Sequence, residues 1–190
     1  TFRTRIGSPF VIETMLLQKE KYKHLVGFEA NGGFLTVNNI ITNDNKILNP
    51  LLTRDAILPI LSVLYSAAAD GCQLSELLKS LPQRYTDSGI LRNYNISAAQ
   101  ILLEELNTKQ TITKFLNKLN LLFENIDAIQ IKQLDFTDGI RITLRNDEII
   151  HLRPSGNAPE FRCYTESTTI NRAQLLKEKV LELLHKKLYQ

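Results

Sequence analysis

Hydrophobic positions along this chain repeat with two different periods, and the changes of period divide it into elements. Thr53 to Ala69 has the plainest helical spacing: Ile57, Leu58, Leu61, Leu64 and Tyr65 fall on one inward stripe. Thr53 is placed to cap that helix, Asp55 sits in its first turn, Pro59 lies in its first two turns and Asp70-Gly71 ends it. Ser8 followed by Pro9 reads as the N-cap and first residue of an earlier helix, running to about Lys21 with Val11, Met15 and Leu16 inward. Thr1 to Gly7, Leu25 to Phe28 and Phe34 to Val37 read as strands, the second of them buried. Asn38 to Asn49 is a polar, mobile loop by composition, and Leu74 to Ser80 is a short helix.

The second half shows more strand periodicity. A strand is expected around Ile90 to Tyr94. A helix capped by Ser97 follows to about Asn107, with Ile101, Leu102 and Leu106 inward, and another spans Thr111 to Phe123 with Phe115, Leu116, Leu119 and Leu122. Ala128 to Leu134, Ile140 to Leu144 and Glu148 to Leu152 read as strands joined by turns at Asp138-Gly139 and Asn146-Asp147. Phe161 to Glu166 is a further strand. Asn171 caps a last helix, Arg172 to Leu188, carrying Leu175, Val180, Leu183 and Leu184. Asp87-Ser88-Gly89 breaks the pattern, which puts a domain boundary near Thr86 to Gly89, with units 1–87 and 88–190 and a hinge between them. Strands in sequence with helices segregated to one face make the second unit α+β.

Composition narrows the function. The chain has 190 residues, 43% hydrophobic and 23% charged, which is ordinary for a globular protein. Its net charge of +3, with no basic run interleaved with aromatics, argues against nucleic acid as a partner. Cys72 and Cys163 are far apart and the histidines are scattered, so no zinc spacing exists, and reduced thiols in a cytoplasmic protein are the default. No apolar run reaches the roughly 18 residues of a membrane span, and no leader peptide is visible, so no membrane partner is expected. The chain opens on Phe2 to Ile6, which reads as a strand lacking its partners, so it is expected to be a piece of something longer.

Two loops carry candidate chemistry. Arg153-Pro154-Ser155-Gly156-Asn157 is turn chemistry between two β-type runs, with Arg162 a few residues on and His151 beside it. A turn offering a hydroxyl, an amide side chain, free backbone N–H groups and guanidinium is suited to a phosphate, because Arg presents a planar fork of donors and converging amides form an anion nest. A surface hairpin with two solvated arginines fits the same spacing equally well, and a half-buried strand histidine is the better reading of His151. Glu29-Ala30-Asn31-Gly32-Gly33 places a carboxylate and an amide just past a strand end, where they can grip vicinal hydroxyls. On its own it reads better as an exposed Gly-Gly turn.

A resemblance shifts both readings. Arg153-Pro154-Ser155-Gly156-Asn157-Ala158-Pro159-Glu160-Phe161-Arg162 resembles the phosphate-binding loop in the last domain of the α-D-phosphohexomutases, commonly Arg-Pro-Ser-Gly-Thr-Glu-Pro, with Asn157 and Ala158 departing from it. The Asn form is similar to a phosphomannomutase subgroup. Glu29 to Gly33 is similar to the family's sugar-binding loop in domain three, commonly Gly-Glu-x-Ser-Gly, with Asn31 where Ser is usual; the Arg3 to Gly7 wording resembles the segment before it. Arg54-Asp55 also resembles a family segment, although capping and surface pairing explain it better.

The resemblance implies a partial three-layer α/β domain followed by a TATA-binding-protein-like α+β domain. It implies an enzyme that interconverts hexose 6-phosphate and hexose 1-phosphate, with mannose or glucose phosphate as substrate, through a phosphoserine and a hexose 1,6-bisphosphate. Arg153, Ser155, Gly156, Asn157 and Arg162 would bind the phosphate, and Glu29, Asn31 and Ser8 the sugar. The phosphoserine and Mg²⁺ loops belong to N-terminal domains, and no Asp-x-Asp-x-Asp run occurs here, so the fragment alone is expected to be inactive. The alternatives are a stand-alone non-catalytic sugar-phosphate binding module or a remnant reading frame.

Overall fold

The computed structural model describes residues 1–93, 96–121, 130–155 and 158–188. The chain divides into two compact units, Thr1–Pro82 and Gln83–Gln190.

In the first unit, α1 (Ser8–Gln18) precedes β1 (Val26–Phe28), β2 (Phe34–Thr36), β3 (Ile40–Ile41), β4 (Ile47–Leu48), β5 (Leu51–Asp55), α2 (Ile57–Ala69) and α3 (Leu74–Lys79). The order β1-β2-β5 makes a three-stranded antiparallel sheet. β3 and β4 pair as a small ribbon inside what the sequence suggested was plain loop. Val11 and Met15 of α1 meet Leu35 and Val37 in a small core. Gly27 permits this approach, since a Cβ there would lie 2.4 Å from Val11 and 2.5 Å from Met15.

Several expectations are corrected here. Thr1 to Gly7 is not a strand: a strand exists only by pairing, and among the described residues nothing pairs with it. Ser8 is the first helical residue rather than the cap, because its hydroxyl is engaged elsewhere; Gly7, at φ 132°, precedes it. Leu25 to Phe28 is not buried, since Val26 and Phe28 are 45% and 69% exposed. Thr53 lies in β5, and the capping falls to Asp55, whose Oδ1 accepts from the N–H groups of Ile57 at 2.8 Å and Leu58 at 3.2 Å. The stripe of α2 is real, but Ile57, Leu61, Leu64 and Tyr65 are exposed and Ala67 is the buried residue of that helix. Spacing determines which side chains share a face. Burial also needs a surface to meet them, and the described residues of this unit do not supply one.

The second unit runs β6 (Tyr85–Arg92), α4 (Ile96–Glu105), α5 (Lys109–Asn120), β7 (Ile131–Asp135), β8 (Ile140–Leu144), β9 (Ile149–Pro154), β10 (Glu160–Ser167) and α6 (Ile170–Leu188). Its five-stranded sheet has the order β6-β10-β9-β8-β7, antiparallel throughout. Phe161, Ile150, Leu152 and Ile142 of the sheet pack with Leu116 and Leu119 of α5 and Leu176 and Leu184 of α6, and each is at most 1% exposed. Burial alternates strictly along β10: Phe161, Cys163, Thr165 and Ser167 are buried. The Thr165 hydroxyl donates to the Ala173 carbonyl of α6 at 2.7 Å, which marks this as the helix side. Glu160, Arg162, Tyr164 and Glu166 therefore point to the opposite face. Gly89 lets α6 lie close on β6, since a Cβ there would meet Leu181 at 2.4 Å.

Residues 86–89 sit in a regular ladder with β10, and the division into compact units falls between Pro82 and Gln83. α5 begins at Lys109, two residues before the expected Thr111, and Thr108 caps it, its Oγ1 accepting from Thr111 N–H at 3.2 Å. Ser97 lies inside α4, and Thr169 takes the capping role expected of Asn171, accepting from Arg172 N–H at 3.3 Å. Leu122, Phe123, Ala128 and Tyr94 lie outside the described residues. Glu148, 4% exposed in the β8–β9 turn, accepts from Arg172 Nε at 2.7 Å and Nη2 at 3.0 Å and from Ser167 Oγ at 2.8 Å. Burial pushes its carboxyl upward, but the bonds from Arg172, Asn146 and Ser167 outweigh that and hold it below the usual carboxylate range. This pair ties the hairpin to the start of α6.

Candidate functional site

Each unit carries a polar cluster at a loop that the sequence singled out. In the second unit it is built on the β9–β10 hairpin. The register sets Arg153 directly opposite Arg162, on the face away from the helices. Like charges directly across a strand pair repel, and each arginine is held by a different carboxylate. Arg153, 8% exposed, donates from Nη1 to Asp138 Oδ2 at 2.7 Å. Arg162 donates from Nη2 to Glu160 Oε2 at 3.1 Å, and Arg92 Nε reaches the other oxygen of Glu160 at 3.3 Å. Arg162, then Arg92, holds the Glu160 carboxyl below its ordinary value. Both arginine Nε–H groups are buried, with no hydrogen-bond acceptor among the described residues. The result is two adjacent guanidinium groups whose unmet donors suit a multivalent anion.

The loop itself corrects one expectation. The Ser155 backbone N–H is not free: it donates to the Glu160 carbonyl at 2.7 Å and closes the hairpin. Gly156 and Asn157 lie outside the described residues. His151 is the half-buried strand histidine expected, with Nε2 at 2.6 Å from the Asp138 carbonyl and its ring 5.7 Å from that of Tyr164. Burial pushes its imidazole below the ordinary value, and the nearby Arg141 and Arg153 act in the same direction against the bond to Asp138. Sequence reasoning missed Asp138 as a site residue, because Asp138-Gly139 reads simply as a hairpin turn.

In the first unit the cluster gathers around the β1–β2 turn. Glu29 N–H donates to the Gly33 carbonyl at 2.9 Å, and Gly32 N–H donates to the Glu29 carbonyl at 3.0 Å. Ser8 Oγ donates to Glu29 Oε2 at 3.1 Å, so two of the expected sugar-binding residues touch. Asn31 stands in the same turn, its Oδ1 accepting from Gly33 N–H at 3.0 Å. Arg54, read from the sequence as a surface residue, joins them: its Nε lies 3.9 Å from Glu29 Oε2, and its stem crosses Gly33, where a Cβ would come within 2.7 Å of Arg54 Cδ. Asn31, Gly32, Gly33, Arg54 and Ala56 line an open cleft of about 350 Å³. The cleft offers an amide and a guanidinium on its wall with a carboxylate beside it, a donor and acceptor set that matches adjacent hydroxyls. The signal for Arg54 was its position in the strand next to β2, which spacing along the chain does not reveal.

Among the described residues no three His, Cys, Asp or Glu side chains form a group that could hold a metal ion. Among the described residues no helix is long and apolar enough to cross a membrane.

The family model for phosphoglucomutase/phosphomannomutase, alpha/beta/alpha domain III, matches residues 1–85. A phosphomannomutase from Salmonella muenchen is 40% identical over 186 residues, covering 98% of this chain and 37% of that protein. A phosphomannomutase from Sinorhizobium fredii is 34% identical over 184 residues, covering 96% of this chain and 37% of that protein. The chain thus spans a little over a third of the length of these curated relatives. A solved structure of a phosphoglucomutase/phosphomannomutase family protein from Burkholderia thailandensis has the same fold, at a TM-score of 0.57 and 15% identity over 97% of this chain and 32% of that one. Residues 1–85 match the phosphoglucomutase/phosphomannomutase domain III, and along nearly its whole length the chain is similar to a part of these phosphomannomutases, which is consistent with a fragment of a phosphohexomutase.

Proposed function

We propose that this chain is the carboxyl-terminal part of a phosphohexomutase that interconverts hexose 6-phosphate and hexose 1-phosphate, and that it supplies recognition while the chemistry lies elsewhere in the polypeptide. The observation that carries this reading is the Arg153–Arg162 pair, two arginines directly opposite across β9 and β10 at the hairpin that carries Ser155. Each guanidinium has one carboxylate partner, Asp138 or Glu160, and keeps a buried Nε–H that a phosphate oxygen would satisfy. The names of the two curated relatives support the substrate class, with mannose phosphate favoured.

In this reading Arg153, Arg162, Ser155, Gly156 and Asn157 bind the phosphate that is not reacting. Glu29, Asn31 and Ser8, with Arg54 added, bind sugar hydroxyls. Each charge-assisted bond contributes roughly 1.5–3 kcal/mol, and fixing the sugar phosphate can lower the barrier by up to about 7–11 kcal/mol. The phosphoserine that exchanges phosphoryl groups, and the Mg²⁺ that would neutralise charge on them, are assigned to parts of the longer protein outside these residues. Hexose 1,6-bisphosphate is the intermediate that must be retained between the two transfers, in a cytoplasmic enzyme. The test is steady-state kinetics of the longer protein carrying Arg153→Ala. The expected result is a kcat/KM lower by about 10–100-fold, with bisphosphate escaping during turnover. An unchanged kcat/KM would overturn the proposal.

A further inference from the structure

The β7–β8 turn approaches the Arg153 segment by three separate contacts. The Asp138 carboxylate takes Arg153 Nη1 at 2.7 Å. The Asp138 backbone carbonyl lies 2.6 Å from His151 Nε2, two residues away on the same face of β9. Gly139, at φ +71°, sits so close that a Cβ would come within 2.2 Å of the Leu152 carbonyl oxygen and 2.7 Å of Arg153 Cβ. The turn is itself fixed, because Thr137 N–H donates to Asp135 Oδ1 at 2.9 Å. Arg153 therefore has one edge of its planar guanidinium clamped by a residue 15 positions away in sequence.

We infer that Asp138 is a positioning residue: it holds the Arg153 guanidinium in its phosphate-binding orientation before any ligand arrives. This rests on the reading of Arg153 as a phosphate ligand. The physical choice lies between two opposed effects. A carboxylate beside a bound phosphate repels it, so if Asp138 merely neutralises a buried charge, removing it tightens phosphate binding. A clamped guanidinium loses little rotamer freedom on binding, so if Asp138 positions Arg153, removing it weakens binding. The second effect dominates because Arg153 is nearly buried and its clamp engages Nη1 alone, while the backbone contact at Gly139 fixes the strand beneath it.

The test is an NMR titration of the 190-residue chain with mannose 6-phosphate, comparing wild type, Arg153→Ala, Asp138→Ala and Asp138→Asn, with the Arg153 Nε–H resonance followed before ligand is added. The expected result is that Asp138→Ala weakens binding by about tenfold and shifts or broadens the ligand-free Arg153 Nε–H signal. Asp138→Asn, which keeps an acceptor, should lie between it and wild type. Equal or tighter binding by Asp138→Ala overturns the inference. If Asp138→Ala does not fold, Asp138→Asn decides, and affinity and Nε–H signal both equal to wild type overturn it. Wild type failing to bind, or Arg153→Ala binding as wild type does, would sink the phosphate reading itself and the inference with it, and is a different outcome from a failure confined to Asp138.

Discussion

Gln83–Gln190 and Thr1–Pro82 carry apolar residues in comparable helical and strand patterns, yet they use them differently. The second unit closes a core of its own, where Phe161, Ile142, Leu152, Leu119 and Leu184 are each at most 1% exposed. In the first unit Val11, Met15, Leu35 and Val37 make the small core, and the sequence of α2 is apolar nearly all round although Ile60, Leu61 and Tyr65 are 55%, 58% and 75% exposed. A helix that is apolar all round belongs in an interior, and large exposed apolar patches mark a surface made to be covered. The difference separates a unit with a closed core from one that leaves an apolar helix uncovered among the described residues, in a chain that spans 37% of the Salmonella muenchen relative.

The sharpest way to break this comparison is to separate the units. Residues 83–190 alone should unfold cooperatively by circular dichroism, while residues 1–82 alone should show a broad transition and bind a hydrophobic dye. A cooperative, dye-free first unit would end the contrast. A smaller but still large effect comes from single truncations in the whole chain. Phe161→Ala should cost about 3–5 kcal/mol of stability in chemical denaturation, whereas Leu61→Ala in α2 should stay within about 0.5 kcal/mol. The buried pair of the second unit should come next: Glu148→Gln leaves Arg172 without its charge partner and should cost about 3 kcal/mol.

The smallest effect is a pH dependence. The folded His151 imidazole titrates below its ordinary value of 6.5. The unfolded chain therefore takes up a proton first as pH falls, so the stability from neutral His151 is complete above that value and declines below it, by at most about 1.4 kcal/mol per pH unit. His151→Gln should flatten the unfolding midpoint across that range. A separate loss, from the lowered Glu148 carboxyl, begins only below its ordinary value of 4.5 and should survive the His151 change.

Much of the second unit was legible in the sequence because its strands alternate and its turns announce themselves. Ile140–Leu144 forms as expected, bounded by Gly139 and by Asp147, both at positive φ. The first unit was harder to read. Ser8 before Pro9 looks like a cap, and nothing local shows that its hydroxyl turns instead to Glu29, 21 residues on. Thr53 looks like a cap too, until pairing with β2 draws it into a strand. Ser8, Glu29 and Asn31 were recovered as one cluster, and Arg153 with Arg162 as another, because resemblance pointed to the loops. Asp138 and Arg54 were not, because each reaches its site through sheet pairing, which a one-dimensional pattern does not display.

The central claim is that the second unit binds phosphate through its β9–β10 hairpin. The most direct measurement is a ¹⁵N–¹H NMR titration of residues 83–190 with mannose 6-phosphate. The account predicts saturable shifts concentrated in residues 153–162 and at Asp138, abolished by Arg153→Ala. Shifts absent, or scattered over the surface and unaffected by Arg153→Ala, would contradict it.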